Sequence, residues 1–225
     1  MSKSTEDSPS GATEDRQWFI VSRWQEYDAE ARANLLRILG IGAFYLVELG
    51  NYAGFRLGPL QLPPVEGVDV AFHRAVTAAA IAWVTLCLGV LMCLKRGIFP
   101  SWLKFISTSA DVVMLTAVLT IADGPRSPLV VGYFLVLALA ALRLHLPLLG
   151  WTTAGSMAAY LFLLGHDKWF RQAQSIPRYH QIIFLLSLLL VGVVLGQVVR
   201  RVRPLAEEFS RRLERSEGRG HEPGE

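Results

Sequence analysis

YHQIIFLLSLLLVGVVLGQVV, residues 179–199, runs for 21 positions without one Asp, Glu, Lys or Arg. At 1.5 Å per residue a helix of that length covers about 30 Å, the hydrocarbon thickness of a bilayer. Residues 75–94 and 127–142 are equally free of charge. The whole chain of 225 residues is 52% hydrophobic and 18% charged, with a mean hydropathy of +0.36, which excludes an ordinary soluble globule. The reading is an all-α, polytopic membrane protein.

Working outward, six spans are expected at roughly 36–55, 72–94, 102–122, 128–144, 147–165 and 179–200, the fourth short. Residues 1–15 are rich in Ser, Gly, Pro and acids and are expected to be disordered. Over 16–35, Trp18, Val21, Trp24, Tyr27, Ala31 and Leu35 recur at spacings of three and four among charges, the pattern of an amphipathic helix lying in the interface. With no apolar run near the start, no cleavable signal is expected and the chain should insert through its own first helix. After the last span, 204–225 is expected to form a short cytoplasmic helix carrying Leu205, Phe209 and Leu213, then a frayed tail. Pro204 should interrupt the hydrogen-bond ladder at that junction.

The net charge of +3 implies no nucleic-acid partner, because the side on which the cations lie matters more than their sum. Arg23, Arg32, Arg37, Lys95, Arg96, Lys104, Arg143, Arg200, Arg201 and Arg203 fall on one side; Arg56, Arg74, Arg126, Lys168, Arg171 and Arg178 fall on the other. The excess puts both termini in the cytoplasm. Arg200, Arg201 and Arg203 are expected at the membrane surface, on anionic headgroups. Cys87 and Cys93 lie six residues apart on one helix and cannot pair there. They read as packed thiols, with Cys93 near enough to a span end for acylation.

Two carboxylates fall inside spans, and a charge there needs a partner in the bundle interior. Asp111 lies seven residues past Lys104, about 10 Å along the helix; Glu48 lies eleven past Arg37, about 16 Å. Tyr45, Asn51 and Tyr52 share the face of Glu48, and Ser107 and Thr108 that of Asp111. One reading joins Glu48, Asp111, Tyr45 and Asn51 in a site for a small cation or proton, its metal unknown. The other is internal pairing, in which the tight turn at 123–127 brings Arg143 to Asp111 as a structural ion pair and leaves Glu48 an ordinary hydrogen-bonded side chain.

His73, His166 and His180 fall near the outer surface and His145 near the inner one, so the two axial pairs of a transmembrane dihaem protein are not supplied; a single outer haem or metal between two of the outer histidines stays open, but the reading is surface or interfacial histidines and no cofactor is expected. Ser156 has no deep histidine to activate it and reads as a small packing residue beside Gly155, Ala158 and Ala159. No catalytic set converges, so no enzyme is expected.

In DGPRSPL, residues 123–129, Gly124 and Pro125 supply a reversal, Ser127 can cap the next helix and Pro128 suits its first turn. An Asp early in a span, an apolar run, a Gly-x-x-Ser-Pro turn and another apolar run resemble the six-helix membrane domains of bacterial sensor histidine kinases of the PilS type and of membrane-bound class III adenylate cyclases. The resemblance spans about residues 35–203 in architecture and rests on Asp111 and Gly124 to Pro128 in motif; Asp123 stands where those families carry a first glycine. It implies a multi-pass protein of the bacterial inner membrane, a sensor-like module that is free-standing, a fragment, or a subunit whose output domain belongs to another chain. It also allows cation binding at Glu48.

Two functions follow from the residues and the resemblance together. One is a receptor-like module that couples the state of its bundle to a cytoplasmic partner through the sixth helix. The other is a non-catalytic structural or assembly subunit of a larger membrane complex. Membrane lipids and another membrane or cytoplasmic protein, as homodimer or complex subunit, are the expected partners.

Overall fold

A computed structural model describes residues 10–57, 60–62, 70–96, 102–171 and 176–219. Side chains are described over 30–54, 70–96, 102–170 and 176–202. The elements are α1 (Ser10–Ala53), β1 (Phe55–Leu57), β2 (Leu60–Leu62), α2 (Val70–Lys95), α3 (Leu103–Ile121), α4 (Gly132–Leu142), α5 (Leu146–His166) and α6 (Arg178–Arg219). Apart from the antiparallel β1–β2 hairpin, which pairs Phe55 with Leu62, the described architecture is helical.

Five helical segments are long and apolar enough to cross a bilayer: Glu30–Ala53, Val70–Lys95, Leu103–Ile121, Leu146–Phe170 and Arg178–Val202. Leu46, Val47, Ile81, Val113, Phe162, Ile182 and Val194 are all more than half exposed, an apolar exterior suited to lipid rather than water. This is the architecture of a multi-pass membrane protein. The fourth expected span is shorter than a bilayer is thick. Two 3₁₀ turns, Gly124–Arg126 and Pro128–Val131, precede α4, so the apolar segment Pro128–Leu142 is about 24 Å long.

At its start the chain departs from the expected division. No break separates an interfacial helix at 16–35 from a first span at 36; α1 is one helix of 44 residues, and its membrane-length segment opens at Glu30. Between Glu30 and Leu39 there is neither Pro nor Gly to stop a helix. Of the tail expected over 1–15, residues 1–9 lie outside the described residues, and Ser10 already begins α1. At the other end α6 runs for 42 residues and continues past Pro204, the residue expected to interrupt its hydrogen-bond ladder. Proline removes one ladder bond there without ending the helix. The tail beyond Arg219 and the side chain of Arg203 lie outside the described residues.

Local chemistry fixes the turns. Gly54, at φ 73°, ends α1 in the left-handed conformation that glycine adopts without steric cost. Gly124, at φ 61°, reverses the chain after α3 in the same way. Ser127 Oγ accepts from the Leu129 amide, with Pro128 in the first turn, and His145 Nδ1 accepts from the Leu148 amide at the start of α5.

Inter-helix contacts set the directions. Tyr133, early in α4, shares a 2.9 Å hydrogen bond with Thr116, while Arg143, just after α4, reaches the Lys104 carbonyl at 2.9 Å, so α4 runs antiparallel to α3. Trp151 of α5 donates to Ser109 of α3 at 3.0 Å, and Phe105 meets His145 edge to face, so α5 begins at the level where α3 begins. The main core joins Val112, Leu115, Leu119, Tyr133, Leu137, Leu163 and Leu188; a smaller one joins Ala140, Ala141, Leu149 and Val199.

Candidate functional site

Glu30, Asn34 and Arg37 follow one another at spacings of four and three, which stacks them on one face of α1. All three are buried, a position that membrane helices tolerate only with partners. Arg37 Nη2 lies 2.7 Å from Asp111 Oδ2 and 3.0 Å from Ser107 Oγ, and Arg37 Nη1 donates to Asn34 Oδ1 at 2.9 Å. Asn34 in turn donates to the Cys87 carbonyl on α2 at 2.9 Å. Trp83 Nε1 donates to the second Asp111 oxygen, Oδ1, at 3.0 Å.

Arg143 completes the cluster from the end of α4. Its Nη2 donates to Glu30 Oε1 at 2.6 Å and to Ser107 Oγ at 3.1 Å, and its Nη1 to the Lys104 carbonyl and the Thr108 hydroxyl. Two arginines and two carboxylates therefore tie α1, α2, α3 and the end of α4 into one neutral network. We call it the clasp.

The expected pair Asp111–Arg143 is corrected by this geometry. Asp111 pairs with Arg37 and Arg143 with Glu30. Arg143 follows the C-terminus of α4 and sits level with Lys104 and Thr108, about one turn from Asp111 toward the start of α3. Arg37, placed at a span edge by the sequence, instead lies beside Asp111 inside the bundle.

Glu48 has a different partner. Its two carboxylate oxygens lie 3.0 and 3.2 Å from His73 Nδ1, and the His73 ring stacks on Tyr52 at 4.1 Å, the planes 3° apart. Tyr45 Oη shares a 3.2 Å hydrogen bond with Thr77. Asn51, expected beside Glu48, is exposed and does not line the cavity described next. Glu48 and Asp111 do line one cavity, with Tyr45 near the first and Arg37 and Trp83 near the second. From Arg37, the partner of Asp111, to Glu48 the α1 backbone rises about 16 Å. Each already holds a cationic or hydrogen-bonding partner of its own.

Of the remaining expected residues, Arg200 and Arg201 are exposed at the end of the membrane-length part of α6. Ser156 is fully buried in α5, and Gly155, Ala158 and Ala159 line a groove between α3 and α5. Among the described residues, no three His, Cys, Asp or Glu side chains come together as a metal site. Sequence reasoning missed Glu30 and the role of Arg37. The signal that could have found them is the polar stripe Glu30, Asn34, Arg37 leading into an apolar helix. Comparison with protein-family models, curated proteins and solved structures finds no match.

Proposed function

We propose that the protein is a receptor-like module of the bacterial cytoplasmic membrane, crossing it six times with both termini inside and passing the packing state of its bundle to a partner through α6. One observation carries the reading: the last turn of α4 serves both the clasp and the exit of α6. Arg143 is held by Glu30, Ser107, Thr108 and the Lys104 carbonyl, and Ala140 and Ala141, three and two residues earlier, pack on Val199. A shift of α4 that accompanies rearrangement of the clasp is therefore felt where α6 leaves the bundle. From that point α6 continues as helix to Arg219, a shape able to carry a displacement out of the membrane.

Six crossings are supported by the pairing of ends. The chain between Ile121 and Leu146 must return from the far end of α3 to the level of its start, and only the Pro128–Leu142 segment makes that return. The orientation keeps its support after Arg37 and Arg143 are withdrawn into the clasp, since eight of the ten cations on the inner side remain against six on the outer. The bacterial setting rests on the resemblance in the turn at 123–129.

A photo-crosslinking amino acid at Leu213, in native membranes, tests the reading. Wild type is expected to capture a discrete cytoplasmic or membrane partner, and Asp111→Asn, which loosens the clasp, to change the yield. Capture that is identical in the variant would leave a purely structural subunit as the better account.

A further inference from the structure

At the opposite end of α4 from the clasp, the turn before α4 and the start of α6 border a second cavity, of about 870 Å³, a size common for ligand sites. Its walls are partly aromatic. Phe134, Phe184 and Tyr160 follow one another with ring centroids 5.5 and 4.3 Å apart, and Val131 and Ile183, each 57% exposed, carry the cavity out onto the apolar exterior, where lipid lies. Arg126 and His180, both exposed, also line it, whereas Asp123 in the turn and Asp167 next to Gly124 do not. Among the described residues, its walls therefore offer cationic and hydrogen-bonding groups and no carboxylate, which suits an anion.

Tyr160 specifies more. It is 3% exposed and its hydroxyl has no hydrogen-bond partner among the described residues, yet that oxygen is not sealed as Ser156 Oγ is. Tyr160 lines this cavity and neither the cavity of Glu48 nor the groove between α3 and α5, so its hydroxyl opens here. The serine hydroxyls in the walls are engaged: Ser127 accepts from the Leu129 amide and Ser187 donates to the Ile183 carbonyl. A phenol left open on a cavity is complemented by an acceptor on whatever fills it. Phe184, on which Tyr160 packs, lies four residues past His180, about 6 Å along α6. The matching occupant is anionic at one end, apolar along its length, and carries a neutral acceptor about one helical turn below the charge. A fatty acid lacks that second acceptor; a glycerophospholipid has an ester carbonyl there.

We propose that this cavity holds one anionic glycerophospholipid of the adjoining leaflet, its phosphate at Arg126 and His180, an ester carbonyl accepting from the Tyr160 hydroxyl, and an acyl chain along Phe134, Ile183 and Phe184. The site lies apart from the clasp and stands whether or not α6 signals.

The test uses the full chain in phosphatidylcholine nanodiscs and four photoreactive probes with the same diazirine-bearing chain: phosphatidylglycerol, its diether analogue without carbonyls, diacylglycerol without the phosphate, and the free fatty acid. Labelled peptides are mapped by mass spectrometry, and labelling at Phe134 and Ile183 is read relative to Ile81, an exposed apolar residue outside the cavity. Phosphatidylglycerol is expected to exceed the diether and the diacylglycerol by about fivefold each, the preference one hydrogen bond confers. Tyr160→Phe, which keeps the ring and removes only the unpaired hydroxyl, should erase the ester-over-ether preference and leave the phosphate preference in place. Arg126→Gln with His180→Gln, both at exposed positions, should do the reverse. Equal labelling by all four probes, wild-type preferences that persist in these variants, or no labelling of the two peptides above Ile81 would overturn the proposal. Fatty-acid labelling that matches phosphatidylglycerol and is indifferent to Tyr160→Phe would overturn it too, in favour of a free amphiphilic acid.

Discussion

Asp111 illustrates how a buried charge is made tolerable. Its carboxylate receives an arginine and an indole N–H, and the arginine is itself fixed by Asn34 and Ser107. Removing one member leaves the other uncompensated in a low-dielectric interior, so Asp111→Asn should lower stability in detergent by about 3–5 kcal/mol. A double-mutant cycle discriminates the pairing. Asp111→Asn with Arg37→Gln, and Glu30→Gln with Arg143→Gln, should each show coupling above about 1 kcal/mol, and Asp111→Asn with Arg143→Gln a smaller value. Strong coupling only in the last cycle would restore the pairing inferred from sequence. Glu48→Gln, with its separate partner His73, should be additive with Asp111→Asn to within about 0.5 kcal/mol.

Among the elements, α5 and α6 approach closely at Gly192. A Cβ there would lie 2.6 Å from Thr153 Oγ1 and 2.8 Å from its Cγ2, whereas one at Gly196 meets nothing nearer than 3.9 Å. Gly192→Ala should therefore destabilise by about 1–3 kcal/mol. Thr153→Ala should rescue much of that loss. Gly196→Ala should be neutral or stabilising by up to about 1 kcal/mol through helix propensity. Equal thermal shifts for the two glycine variants would count against this packing. The helices themselves were legible because a lack of charge over bilayer length is a one-dimensional signal, and the turn at Gly124 and Ser127 because its residues act on their own neighbours. The partner of Asp111 was not legible, since it depends on how helices rotate and slide against one another. Arg37 was misplaced for the same reason: a cation near a span end reads as interfacial until a neighbouring helix brings it an acid. The cavity could not be read at all, because no sequence pattern encodes space that packed helices leave unfilled.

For the whole molecule, the short α4 decides the topology. If it crosses the membrane, Arg126→Cys in the turn before it should react with an impermeant thiol reagent only from outside in intact cells, and Pro147→Cys after it only once the inner face is exposed. Both positions are exposed. Labelling of both from one side would make Pro128–Leu142 a re-entrant segment and break the six-crossing account.

If the clasp and the exit of α6 are mechanically joined through the last turn of α4, a disturbance at one must be felt at the other. Pulsed electron paramagnetic resonance between spin labels at Arg96→Cys and Arg201→Cys, with Cys87 and Cys93 replaced by Ala, measures that link directly, since both labelled positions are exposed and lie at the ends of α2 and of the membrane-length part of α6. Introducing Glu30→Gln or Asp111→Asn should shift or broaden the distance distribution by about 1–2 Å, the scale of helix movements in switching bundles. A distribution that is the same with the clasp intact and broken would contradict the claim.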